Sequence, residues 1–107
     1  MWEKQLKLYD SIVEQCPDFE RKGKKMIYTS ANGYMFTLLN KEAEIGIRLS
    51  KESQDAFKEK HNATIYKSHG ATMKDYVKVP ENLYSETKLL AKYFTESYNY
   101  VMTLKPK

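Results

Sequence analysis

One cysteine, two histidines and nine tyrosines carry most of the reactive chemistry available to this chain. Cys16 stands directly before Pro17. A nucleophilic thiolate needs a helix N-terminus, an adjacent cation or a histidine to hold its proton loosely, and the residues around Cys16 supply no clear support, so it reads as a packing residue. His61 and His69 lie eight residues apart, with no cysteine or acidic partner at a metal-ligand spacing, and read as unrelated surface histidines. Gly-rich phosphate loops, nucleophile elbows and zinc motifs do not occur. The residues therefore predict no catalytic group, no cofactor and no metal. Tyr76 stands apart, because Lys74 and Lys78 flank it at the alternating spacing of one strand face. Aromatic and basic groups interleaved in this way can stack on bases and contact phosphates, or form part of a protein interface with lysine stems over the ring.

The elements that must position these groups follow from periodicity. Trp2, Leu6, Tyr9, Val13 and Cys16 form the stripe of a helix with one buried face, which Pro17 must end. Arg21, Lys22, Lys24 and Lys25 read as a solvated basic loop. Met26–Tyr28, Gly33–Leu39 and Glu44–Leu49 read as a β-meander, joined by an Ala31-Asn32-Gly33 hairpin turn and a polar turn at Asn40-Lys41-Glu42. Strict alternation places Tyr34, Phe36 and Leu38 on one face of the second strand, with Met35, Thr37 and Leu39 on the other. Phe36 and Ile47 are expected in the core. Ser50 is a good N-cap for a short helix anchored by Ala56 and Phe57 and ending near His61-Asn62. A brief strand at Thr64-Ile65-Tyr66 and the polar loop Lys67-Ser68-His69-Gly70 precede the last strand, which Pro80 ends. In that strand Met73, Val77 and Val79 are expected on the core side, and Lys74, Tyr76 and Lys78 on the other. A long helix from about Glu86 carries the stripe Leu90, Phe94, Ser97, Val101 and Leu104. The order α-β-β-β-α-β-β-α predicts a two-layer α+β fold, an antiparallel sheet of about five strands with helices mostly on one face.

Composition narrows the setting. A chain of 107 residues is expected to form one domain over residues 1–107 and to hide roughly two-thirds of its unfolded surface without a metal or disulfide. Lys and Arg number 18 against 14 Asp and Glu, a net charge of +4, well short of a dedicated nucleic-acid arm. A single cysteine fits a reducing cytosol. The apolar runs are far shorter than the roughly 20 residues of a membrane span. Met1-Trp2-Glu3-Lys4-Gln5 is too polar for a signal peptide, so the Asn62-Ala63-Thr64 glycosylation pattern reads as coincidence. A cytoplasmic protein is expected.

The element order and the residues filling it resemble the N-terminal domain of the TfoX/Sxy family of competence regulators. The resemblance spans about residues 24 to 104. It rests on Met26 with a nearby aromatic, Gly33-Tyr34-Met35-Phe36, Ile47-Arg48-Leu49, Phe57 and Tyr76-Val77-Lys78-Val79-Pro80. Tyr28-Thr29-Ser30 stands where that family often has a glycine pair, and the chain has no room for the helical second domain of the larger members. The resemblance implies architecture more than activity.

The functional expectation is a small non-enzymatic regulatory or protein-interaction domain, with protein or a second copy as partner and no membrane. Its interaction face comprises Met35, Leu39, Arg48, Lys74, Tyr76 and Lys78, on the outer side of the sheet. The alternative is a nucleic-acid-binding accessory protein that uses the same basic face.

Overall fold

Asn32 and Gly33 both take positive φ, 56° and 84°, the backbone that a tight hairpin needs to match the twist of its strands. In the computed structural model, which describes residues 2–24, 26–68 and 70–107, they join β1 (Ile27–Ala31) to β2 (Tyr34–Leu39). The second turn is held by Asn40, whose side-chain oxygen accepts from the Glu44 amide at 2.8 Å, and leads into β3 (Ile45–Arg48). Ser50 caps α2 (Lys51–His61) by accepting from the Ser53 amide, and Asn62 ends it in the left-handed conformation. β4 (Ile65–Ser68) and β5 (Ala71–Lys78) complete an antiparallel sheet in the order β1-β2-β3-β5-β4. Before it lies α1 (Trp2–Val13); after it come a single 3₁₀ turn at Glu81–Leu83 and α3 (Thr87–Met102). The expected element order and α+β class hold. Lys67 and Ser68, expected in a loop, belong to β4.

Two irregularities decide which side chains face which way. In the β1–β2 ladder Thr29 opposes Thr37 but Ser30 opposes Met35, so Phe36 is an unopposed bulge residue. Met35 and Phe36 keep their expected sides, while every residue beyond the bulge is reversed. Thr37 and Leu39 point to the helices, and Leu38 points away. Leu39, expected on the outer face, is therefore a fully buried core residue. In the β4–β5 ladder, pairing jumps from Ile65–Val77 to Tyr66–Met73. That break places Met73 with Tyr76 on the outer side, where strict alternation had put it in the core.

The main core lies between the sheet and the helices. Tyr9, Ile12 and Val13 of α1, Phe57 of α2, and Leu90, Ala91 and Phe94 of α3 meet Ile27, Leu39, Ile45, Ile47 and Val77 there. Phe36 is buried against the rings of Phe19 and Tyr98, and Ile47 is likewise fully buried, as expected. In α2 the second buried position belongs to Gln54, not to the exposed Ala56, because the Gln54 amide donates to the Leu49 carbonyl at 2.9 Å.

Candidate interaction face

Seen from the side opposite the helices, the sheet carries its own small apolar cluster. Leu38, Tyr66 and Tyr76 are buried there, with Tyr28, Met35 and Met73 half-buried around them. Gly46 makes this arrangement sterically feasible. A methyl group on it would sit 2.5 Å from atoms of the Tyr66 ring, so the glycine is where that ring lies down on the strand. The Tyr66 hydroxyl points at the Leu38 and Glu44 carbonyls, 3.2 and 3.0 Å away. The Tyr76 ring stacks on Tyr66, centroids 6.0 Å apart, and its hydroxyl donates to the Met35 carbonyl at 2.6 Å. On the other side of the bulge, Ser97 of α3 donates to the Phe36 carbonyl at 3.1 Å. Side-chain hydroxyls thus serve the backbone on both sides of a broken ladder.

Burial pushes the Tyr76 hydroxyl up to about 12, against the opposing charge of Arg48. Burial likewise raises Tyr66, with the Glu44 charge adding to it. Both phenols are neutral hydrogen-bond donors at physiological pH.

Of the six residues expected on this face, Met35, Arg48, Tyr76 and Lys78 lie on or beside it. Met35 is half-buried at its centre. Tyr76 is present but only 4% exposed, and its ring stacks on Tyr66, so it is a support for the face and not a free stacking platform. Arg48 lies half-buried opposite Tyr76 in the ladder, its Nη2 3.4 Å from Asp75. Lys78 binds Glu44 at 2.8 Å, and Lys74 is exposed. Leu39 is absent from the face, because the Phe36 bulge turns it inward. Sequence reasoning missed Leu38, Tyr66 and Met73. The available signal was Gly46, a glycine alternating with Ile45 and Ile47, which marks a close approach from the outer side.

The groups with reactive potential are occupied by packing. Cys16 is buried, its Sγ 3.5 Å from the Ile12 carbonyl and 3.8 Å from the Thr95 hydroxyl. Burial raises its thiol pKa, outweighing the Thr95 bond, and Asp18 raises it further. The ring of His61 packs on Phe57, and its Nε2 is 2.9 Å from the Tyr93 hydroxyl. His69 lies outside the described residues. Among the described residues, no three His, Cys, Asp or Glu side chains come together as a metal site, and no helix is long and apolar enough to cross a membrane. A groove of about 520 Å³ between the end of α1 and α3 is bordered by Gln15, Lys88, Lys92 and Glu96, all exposed, and converges on no shared polar centre. No family model matches the chain, and no curated protein sequence matches it.

Proposed function

We propose that this chain is a small, non-enzymatic regulatory or interaction domain with the architecture of the TfoX N-terminal domain, and that it self-associates through the outer face of its sheet. The observation behind this reading is an asymmetry of layers. All three helices feed the core on one side of the sheet, while the apolar cluster on the other side ends in the half-exposed Tyr28, Met35 and Met73. An apolar centre with a polar rim is the anatomy of a protein interface. The rim is neutralised in part within each chain, since Glu44 pairs with Lys78 and Asp75 lies at longer range against Arg48. Two copies can therefore meet across a two-fold axis without stacking like charges. The single cysteine fits a cytoplasmic setting.

Light scattering at micromolar concentration tests the proposal. A mass of twice 12.6 kDa is expected for the native protein, and the mass of a single chain for Met35→Asp, with the helical circular dichroism unchanged. A native monomer removes the self-association reading. A dimer that survives Met35→Asp must use another surface.

A further inference from the structure

The guanidinium of Arg48 is held in an unusual state of partial satisfaction. Nη2 approaches Asp75 Oδ2 at 3.4 Å, longer than the 2.7–2.9 Å of a strong charge-assisted bond. The carboxylate is 58% exposed and so easily displaced. Nε, which shares one edge of the planar fork with Nη2, is buried and has no hydrogen-bond partner among the described residues. One tooth of a two-toothed edge is thus weakly engaged, and the other makes no hydrogen bond of good geometry, with only the Tyr76 hydroxyl close to the guanidinium. Buried polar groups are nearly always paired, and an orphan on a charged side chain points to a missing water or ion.

The surroundings indicate which kind of ion. The Arg48 fork lies 5.3 Å from the centroid of the Tyr34 ring, and the Lys107 ammonium lies 4.9 Å from the same centroid. Two cations share one aromatic ring. The arrangement is built, because three contacts fix it. Tyr34 donates its hydroxyl to the Lys105 carbonyl at 2.7 Å. The Lys107 amide reaches the Asn32 carbonyl at 3.3 Å, and the Asn32 side chain donates to the Val101 and Leu104 carbonyls. The hairpin tip, the end of β3 and the segment after α3 therefore converge on one place. Of the carboxylates, Asp75 answers Arg48, and does so at long range.

We propose that Arg48, with Lys107 beside it on the ring of Tyr34, is a binding site for a phosphate group. A phosphate oxygen pair matches the Nε–Nη2 edge of the fork, which a monodentate aspartate does not fill. The Lys107 ammonium on the same ring adds to the positive potential that attracts it. Binding displaces Asp75 into solvent, and no covalent step is involved. The site does not depend on self-association.

The Nε–Hε signal of Arg48, assigned by nuclear magnetic resonance in the intact chain, is the direct reporter. Titration with sodium phosphate at ionic strength held constant with sodium chloride should shift this signal saturably. Asp75→Asn should tighten the binding several-fold by removing the competitor, Lys107→Gln should weaken it several-fold, and Arg48→Lys, which keeps the charge without Nε and is followed through the backbone amide of Tyr34, should abolish saturation. A parallel titration with a short single-stranded oligothymidylate distinguishes the source of the group. Saturation at far lower concentration than inorganic phosphate assigns it to a nucleic-acid backbone, and weaker or equal binding assigns it to free phosphate. A signal that moves no more with phosphate than with chloride overturns the site. So does tightening that fails to appear in Asp75→Asn.

Discussion

Three hydroxyls in the middle of the fold form a chain, Tyr9 to Thr37 to Thr29, each step 2.5 Å and each residue fully buried. Thr37 is the centre and can donate in only one direction, so the Tyr9 phenol, the more acidic of the three, is the natural first donor. Burial raises the Tyr9 pKa against the Thr37 and Thr29 hydrogen bonds, so this phenol keeps its proton. The consequence is an ordering of costs. Tyr9→Phe leaves the two threonines paired and should cost about 0.5–1.5 kcal/mol, whereas Thr37→Val orphans a hydroxyl on either side and should cost about 1–3 kcal/mol for each. Urea denaturation of the two variants checks the order, and equal losses would contradict it. At the same scale Gly46→Ala drives a methyl into the Tyr66 ring, and should cost about 1–3 kcal/mol by overpacking. Acid acts on two further residues. Burial, then Lys60, holds His61 below its ordinary pKa, so its contribution is present above the unfolded histidine value and is lost as pH falls through the folded one. Glu44 is lowered overall: burial opposes ionisation, but the Lys78 and Asn40 hydrogen bonds and the Lys78 charge outweigh it. Its contribution is present above the unfolded carboxylate value and is lost as pH falls through the lowered one. Both signs agree, so urea midpoints should fall from neutral to acid pH, and more shallowly in a His61→Phe Glu44→Gln double variant.

At the scale of elements, the pieces that depend on local residues were readable and those that depend on distant ones were not. Asn32-Gly33 as a turn, Ser50 as a cap and Asn62 near a helix end are short-range signals, and each lies where expected. The α3 residues Leu90, Phe94, Ser97 and Val101 are buried as read, whereas Leu104, read as the last member of the stripe, lies past the end of the helix and is half-buried. The Phe36 bulge has no comparable signature: either face of β2 offered apolar residues, and the one polar residue, Thr37, pointed the wrong way because its hydroxyl is satisfied inside the core by Tyr9 and Thr29. One extra residue flips everything after it, which is why Met35 was placed correctly on the outer face and Leu39 was not. Asn32 had a second role that its neighbours in sequence cannot reveal. Its amide closes the end of α3 through the Val101 and Leu104 carbonyls, at 2.8 and 2.9 Å. Asn32→Gly should keep the hairpin, because glycine accepts positive φ, but should lose this cap at a cost of about 1 kcal/mol. Amide exchange read along the chain should then accelerate in the last turn of α3 and not in β1 or β2. Uniform acceleration would show that the turn itself had failed.

For the molecule as a whole, the question is which surface remains available once the interior is built. The sheet edges are blunted. Lys22 bridges to Tyr28 beside β1, and the Asn40 side chain takes the Lys67 carbonyl on β4 at 2.8 Å, so growth by strand addition is disfavoured. The helix layer closes one face. What remains is the outer face, whose tyrosines are locked by their hydroxyls into a firm floor beneath Tyr28, Met35 and Met73. A rigid floor of this kind lets two copies associate with little ordering cost. The most direct measurement is a map of amide chemical shifts as the protein is concentrated from the micromolar to the millimolar range. The shifts should gather on Tyr28, Met35, Met73 and their strand neighbours, and leave the outward residues of α1 and α3, such as Lys7, Lys92 and Asn99, where they were. Shifts centred on α3, or none anywhere over that range, would contradict the assignment of the outer face as the surface through which this protein acts.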